Sequence, residues 1–210
     1  MALQCAGQGV GARAGRGLLA CAPAFSVQLP GDPERGEVEA FIHRVYADHF
    51  GARVQQFAPI LVSLRDRGVI TAAAGYRSGA QPLFLERYLD GPVEGLLAGP
   101  GEALARERIF EVGHLAAQQP GEGRRLIPHL ARHLEQLEVQ WVVSTATQEL
   151  RRIFTRLGVR PVTLGAADPA RLGPGAQDWG SYYAHHPLVL GGRLPVSLRS
   201  PVPRRAADAG

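Results

Sequence analysis

The chain has 210 residues, 45% of them apolar and 20% charged, which suits one soluble domain with tails and a full core. Its net charge of +4 is carried by arginine alone, and the absence of lysine excludes Schiff-base and lysine-nucleophile chemistry. The arginines are dispersed among acids, which argues against a nucleic-acid partner, and no run approaches the ~20 apolar residues of a membrane span.

Residues 1–24 are rich in Gly and Ala without periodicity and read as a flexible tail. They hold both cysteines, Cys5 and Cys21, too few for a disulfide framework or a zinc site. Leu18-Leu-Ala-Cys21 superficially resembles a lipoprotein cleavage box but lacks the preceding apolar core. A cytoplasmic protein is therefore expected.

The folded domain is expected over residues 25–194. Phe25–Leu29 reads as a first strand. Glu37–Phe50 reads as a helix, with Val38, Phe41, Ile42, Val45 and Tyr46 on one face and Gly51 as its stop. His43 and His49 fall on or near its solvated side, without a third ligand for a metal. Pro59–Arg65 and Val69–Tyr76 flank Asp66-Arg67-Gly68 and predict a central hairpin, both runs being largely apolar. Gly75 marks a bulge or a close backbone approach. Leu83–Leu89 is taken as a further strand, followed by a short helix with Val93, Leu96 and Leu97 on its apolar side.

Arg108 to Gly158 organises the rest. Arg108–Ala117 reads as a buried strand and Gln118-Gln-Pro-Gly-Glu-Gly123 as a tight loop. Leu126, Leu130, Leu134 and Leu137 then recur at helical spacing. Pro128 removes one bond of that helix and predicts a kink. Val139–Ala146 is a second β-rich run. The next helix has Thr147 as N-cap, Leu150, Ile153, Phe154 and Leu157 on its apolar face, and Gly158 as C′ residue. Pro161–Leu164 is a brief strand and Ala166–Gly175 a loop. A last strand is expected to begin at Trp179–Tyr183 and to continue, past His185-His-Pro187, at Leu188–Leu190. Residues 195–210, dominated by Pro, Arg and Ala, are expected to form a disordered tail.

The loop carries chemistry. Gly121 and Gly123 let backbone N–H groups turn toward a ligand. The helix opening at Glu122–Arg124 adds unpaired amides and the positive end of a dipole, and Arg124 and Arg125 add full charges. A diphosphate fits such a site if Glu122 points away from it. Within the strand before the loop, Glu111 is costly unless partnered. It is either a functional carboxylate or the partner of a buried arginine, Arg77 or Arg87. His114, with an ordinary pKa near 6.5, is either a proton carrier or a packing residue. Strict alternation sets it on the face opposite Glu111 unless a bulge resets the phase.

Gln118-x-x-Gly121-x-Gly123 resembles the pyrophosphate-binding loop of the GNAT N-acyltransferase superfamily. The order strand, helix, hairpin, strand, glycine loop, helix, strand, helix, strands is similar to that fold: an α/β (α+β) single domain with a mixed twisted sheet and helices on both faces. A narrower resemblance, over about residues 35–190, rests on Ala74–Arg77, Phe84–Leu89, Glu111–Ala116, Trp141–Thr147 and Trp179–Tyr183. These look like the bacterial thermostable hemolysin family, whose fold is similar to that of the acyl-homoserine-lactone synthases.

The resemblance implies transfer of an acyl group, fatty in character, from a coenzyme A or acyl-carrier-protein thioester to a small-molecule amine, with no metal. A membrane-active protein without catalysis and a non-catalytic acyl-CoA sensor are the rival readings. It further implies a pantetheine slot where the fourth and fifth strands splay. Backbone groups around Gly113, Leu115 and Ala117 would line that slot, and a bulge near Gly113 would supply an oxyanion donor. Glu111 becomes general base or ammonium ligand, with His114 second. Gln118, Gly121, Gly123 and Arg124 hold the phosphates, while Glu86, Tyr88, Asp90 and Arg77 sit where the synthases bind their acceptor. The tyrosine that protonates the thiolate in many GNAT enzymes is Phe154 here, which leaves Tyr182 or Tyr183 as substitute, or an acyl-carrier-protein thiol that departs unaided.

Overall fold

The computed structural model describes residues 23–99 and 101–194. The two predicted tails fall outside these residues except at Pro23 and Ala24. The chain forms one seven-stranded sheet of order β1-β2-β3-β4-β5-β7-β6. The strands are β1 (Ala24–Gln28), β2 (Ile60–Asp66), β3 (Val69–Ser78), β4 (Ile109–Ala117), β5 (Trp141–Ala146), β6 (Val162–Ala166) and β7 (Leu188–Arg193). Only β4 and β5 run parallel. The helices are α1 (Arg35–Phe50), α2 (Val93–Leu97), α3 (Glu122–Gln136) and α4 (Gln148–Leu157).

The apolar runs of β2 and β3 are explained by burial on both faces. Leu61 and Ala73 pack with Val38, Phe41 and Ile42 of α1, whereas Val62, Leu64, Ala72, Ala74 and Tyr76 pack with Leu126, Leu130 and Leu134 of α3. Arg67 and Gly68 both have positive φ, 50° and 82°, the backbone that a two-residue hairpin turn needs. Thr147 caps α4 by accepting from the Leu150 amide, and Gly158 ends it in the left-handed region, as the sequence predicts. α3 continues past Pro128 without a break, leaving the Arg124 carbonyl without its usual helical donor.

Gly75 is a close approach as well as a bulge neighbour. A Cβ there would lie 2.8 Å from Ala58 Cβ and 3.0 Å from Leu61 Cδ2. Gly75→Ala is therefore expected to cost about 1–3 kcal/mol through overpacking. A lowered Tm in thermal unfolding is the check.

Two predicted strands are corrected. Leu83–Leu89 is instead a 3-10 turn over Phe84–Tyr88, because the Glu111 carboxylate, far away in sequence, accepts from the Phe84 and Leu85 amides at 2.7 and 3.0 Å. Trp179–Tyr183 is likewise not strand. It lies in 3-10 segments, Pro169–Trp179 and Tyr182–His185, and β7 begins only at Leu188. The first of these segments takes its N-terminal cap from Asp168, which accepts from the Ala170 amide, and Pro174 lies inside it.

Candidate active site

The site is a gap in the sheet. β4 and β5 pair only at Ile109–Trp141, Phe110–Val142 and Glu111–Val143. Beyond Glu111 the β5-facing edge of β4 has no strand partner, so its backbone groups are free to bind elsewhere. A cavity of about 670 Å³ occupies this splay, reaching from the glycine loop past Gly113, Leu115 and Ala117 to Glu111. From Glu111 to Gln118 the extended chain covers on the order of 20 Å at ~3.3 Å per residue.

At one end stands the glycine loop. Gly121 (φ 101°) is the N-cap of α3, a conformation that favours glycine. Among the described residues no carbonyl accepts from the Gly123 or Arg124 amide, so both remain available at the positive end of the helix dipole. Glu122 is turned aside onto Arg125, both carboxylate oxygens lying 3.0 Å from its Nη1. Arg124 is exposed beside the loop. Gln118 is exposed too, and its amide donates to the Thr71 carbonyl. This arrangement fits a diphosphate: free amides, a helix N-terminus and one uncommitted guanidinium.

The middle of the cavity contains the bulge. Gly75 faces Gly113 and Ala73 faces Ala116, so β4 has one residue more than β3 between these pairs, and His114 adopts φ 54°. The extra residue resets the phase. His114 then lies among Tyr46 and Phe57 on the α1 side, where Ala116 also packs, and Leu115 and Ala117 turn to the α3 side. Glu111 sits against the Phe84–Leu85 turn, and both it and His114 line the cavity. Burial pushes His114 down to about 4, helped by the Arg77 charge and opposed by the Gln56 backbone, so the ring is neutral near pH 7. Its buried Nδ1 has no hydrogen-bond partner. A Cβ on Gly113 would meet nothing within 4 Å, an open position on the slot wall.

At the far end, Glu111 is 8% exposed and satisfied by the two amides of the 3-10 turn, with Arg77 Nε at 3.5 Å from Oε2. Burial raises its pKa above the usual carboxylate value, opposed by the Phe84 amide, Arg77 and the Leu85 amide. Arg77 is thus the partner; Arg87 lies exposed with its guanidinium 4.9 Å from the Phe84 ring centre. Tyr182 is buried, donates to the Thr145 carbonyl of β5 at 3.2 Å, and stays protonated because burial raises its pKa well above 10. The hydroxyls of Tyr88 and Tyr183 meet at 2.6 Å. All three tyrosines line the cavity.

The structure does not bring Glu86 and Asp90 together. Glu86 is bound by Arg106 at 2.8 and 3.0 Å and accepts from the Val93 amide. Asp90 is exposed, pairs with Arg171 and does not line the cavity. Their expected place at the acceptor site rests on the resemblance and on a strand that is instead a turn. Tyr88 and Arg77 do reach the cavity. The sequence reading missed Arg53, Phe84, Trp179 and Ser144, which also line it. Arg53 lies in an aperiodic stretch where no pattern marks it, and Trp179, though part of a motif shared with the family, carries no local sign of a place in the cavity wall. Among the described residues no group of His, Cys, Asp and Glu is placed to hold a metal ion, and no helix is long and apolar enough to cross a membrane.

The chain belongs to the thermostable hemolysin family, whose model matches residues 28–198. A comparison with curated proteins found no match. Its fold is that of GNAT-like acyltransferases. The AHL synthase LasI is similar at TM-score 0.54 and 15% identity over 82% of this chain and 91% of that one. FeeM, an N-acyl amino acid synthase from uncultured soil microbes, gives 0.53 and 15% over 82% and 90%. BjaI, a CoA-dependent acyl-homoserine lactone synthase with SAM and isopentyl-CoA, gives 0.56 and 8% over 82% and 83%.

Proposed function

We propose that this member of the thermostable hemolysin family transfers an acyl group, fatty in character, from a coenzyme A or carrier-protein thioester to an amine. The observation that carries this reading is the parting of β4 from β5 beyond Glu111 and Val143, with the glycine loop at one end of the gap and a buried carboxylate at the other. The free amides of Gly123 and Arg124 would hold the phosphates, with Gln118, Gly121 and the Arg124 side chain beside them. Backbone groups around Gly113, Leu115 and Ala117, on the stretch of β4 that β5 no longer pairs, would hold the pantetheine arm.

In the reaction, the amine nitrogen attacks the thioester carbonyl and its proton passes to Glu111. The carbonyl oxygen becomes an oxyanion beside the β4 bulge, where backbone N–H groups stabilise it. The C–S bond then breaks, and the thiolate takes a proton from Tyr182. His114, neutral and beside the bulge, is the second candidate to relay the proton. Acyl-CoA and acyl-carrier-protein thioesters offered with a mixture of amines test the reading. Thiol release matched by an N-acyl product in mass spectrometry is expected; thioester binding without turnover would point to a sensor.

Tyr182→Phe separates the acid from a packing residue. Turnover of a coenzyme A thioester is expected to fall about 10²-fold, while an aryl thioester with a better leaving group is much less affected. An equal loss on both donors contradicts the assignment.

The family name records lysis, and we assign any lysis to the amphiphilic acylated product. The apolar faces of α1 and α3 are buried against the sheet and are not free to enter a bilayer. Dye-loaded lipid vesicles heated with the protein but without acyl donor are expected to stay intact. Dye release there would make the protein itself the lytic agent.

A further inference from the structure

We propose that the amine acceptor is an α-amino acid, its carboxylate received by Arg77 and Arg87 and its amino group by Glu111. This deepens the acyl-transfer reading and rests on it. In the cavity wall Arg77 Nε lies 3.5 Å from Glu111 Oε2, so a cation and an anion stand side by side, the spacing that complements a zwitterion whose charges are one carbon apart. Both Glu111 oxygens are fixed by the Phe84 and Leu85 amides, and the closest approach of Glu111 to Arg77 is through Nε. Among the described residues the Arg77 terminal nitrogens donate no hydrogen bond, and Arg77 pairs with no acid other than Glu111, although its side chain is only 23% exposed. A largely buried guanidinium with an open fork is built for a carboxylate.

The surrounding charges agree. Arg53 and Arg87 line the same cavity, neither in an ion pair among the described residues, and the acids lining it besides Glu111 are Asp178 and Glu149. Glu149 opens α4 next to the glycine-loop end of the cavity. Of the acids expected at the acceptor site, Glu86 is spent on Arg106 and Asp90 on Arg171 outside the cavity. An acceptor that brings an anion gains there, and one that brings a further cation does not.

The test is a panel of acceptors at saturating acyl thioester, with N-acyl products measured by mass spectrometry. It contains phenylalanine, phenylalaninamide, phenethylamine and O-phosphoethanolamine. Phenylalanine is expected to show at least tenfold higher kcat/KM than the other three. The exposed Arg87→Gln is expected to raise the KM for phenylalanine with little change in kcat; Arg77→Gln is expected to raise it too and, by removing the charge beside Glu111, to move the acid limb of the pH–rate profile upward. Arg77→Gln should also pull the phenylalanine-to-amide ratio toward one, and Arg77→Lys should restore part of it. Equal acylation of the amide or of phenethylamine overturns the amino-acid assignment and leaves acyl transfer standing. Preference for O-phosphoethanolamine replaces the carboxylate by a phosphate. Absence of any acylated product with every thioester removes the acyl-transfer reading and this inference with it.

Discussion

Glu111→Gln is expected to lower turnover by about 10²–10⁴-fold, the usual weight of a positioned general base, while acyl-thioester binding stays intact. The substitution is isosteric and keeps one oxygen to accept from the Phe84–Leu85 turn, whose two amides the native carboxylate holds at 2.7 and 3.0 Å; the glutamine NH2 meets the other amide donor to donor, at a cost of about 1–3 kcal/mol. A second effect on stability acts the other way and follows from the direction of the pKa shift. Burial, the largest cause, raises the Glu111 pKa in the fold above its ordinary value near 4.5. A group with a raised folded pKa contributes its stability fully below the unfolded pKa and loses it as pH rises through the folded one. At neutral pH the ionised carboxylate is therefore a cost to the fold, and Gln removes that cost together with the Arg77 pairing. The wild-type rate should fall as pH drops through the raised pKa, because only the carboxylate accepts a proton; the residual rate of the variant should lack this limb. Steady-state kinetics, with a Tm measured beside them, decides. Unchanged kcat would show that Glu111 only caps the turn.

Gly113→Leu should abolish thioester binding while leaving the fold in place. Most glycine substitutions at buried strand positions confound loss of function with loss of stability. Here a Cβ meets nothing within 4 Å, and Gly113 is not among the residues of positive φ. The leucine side chain would fill open space at the wall of the cavity in which the pantetheine arm is proposed to lie. Affinity for acyl-CoA is expected to fall at least tenfold, measured by calorimetry, with a Tm close to wild type. Retained affinity would place the arm elsewhere.

Much of the fold is legible in the sequence because its signals are local. The Arg67-Gly68 turn, the Thr147 cap, the Gly158 stop and the leucine row of α3 each report a backbone conformation or a face that neighbouring residues fix. The glycine loop is legible for the same reason, whereas the bulge that turns His114 onto the α1 side is an expectation of the family resemblance and not of any local signal. What escapes local reading depends on distant partners. Phe84–Tyr88 has a strand-like pattern but becomes a turn once Glu111, from β4, takes up its amides. Glu86 reads as an acceptor ligand until Arg106 folds onto it, and Asp90 until Arg171 does. The segment from Pro169 to His185 carries no periodicity, yet it places Trp179, Tyr182 and Tyr183 in the cavity wall, joined to the end of α1 where the Ser181 amide donates to the Phe50 carbonyl at 2.8 Å.

The central claim is that the parted strands and the glycine loop receive an acyl thioester, and hydrogen exchange on the wild-type protein tests it most directly. A non-reactive thioether analogue of acyl-CoA, added at saturation, is expected to slow exchange of the amides at 113–117, at 121–125 and along 144–147. Unchanged exchange in those three segments, with binding demonstrated or protection found elsewhere, would contradict it.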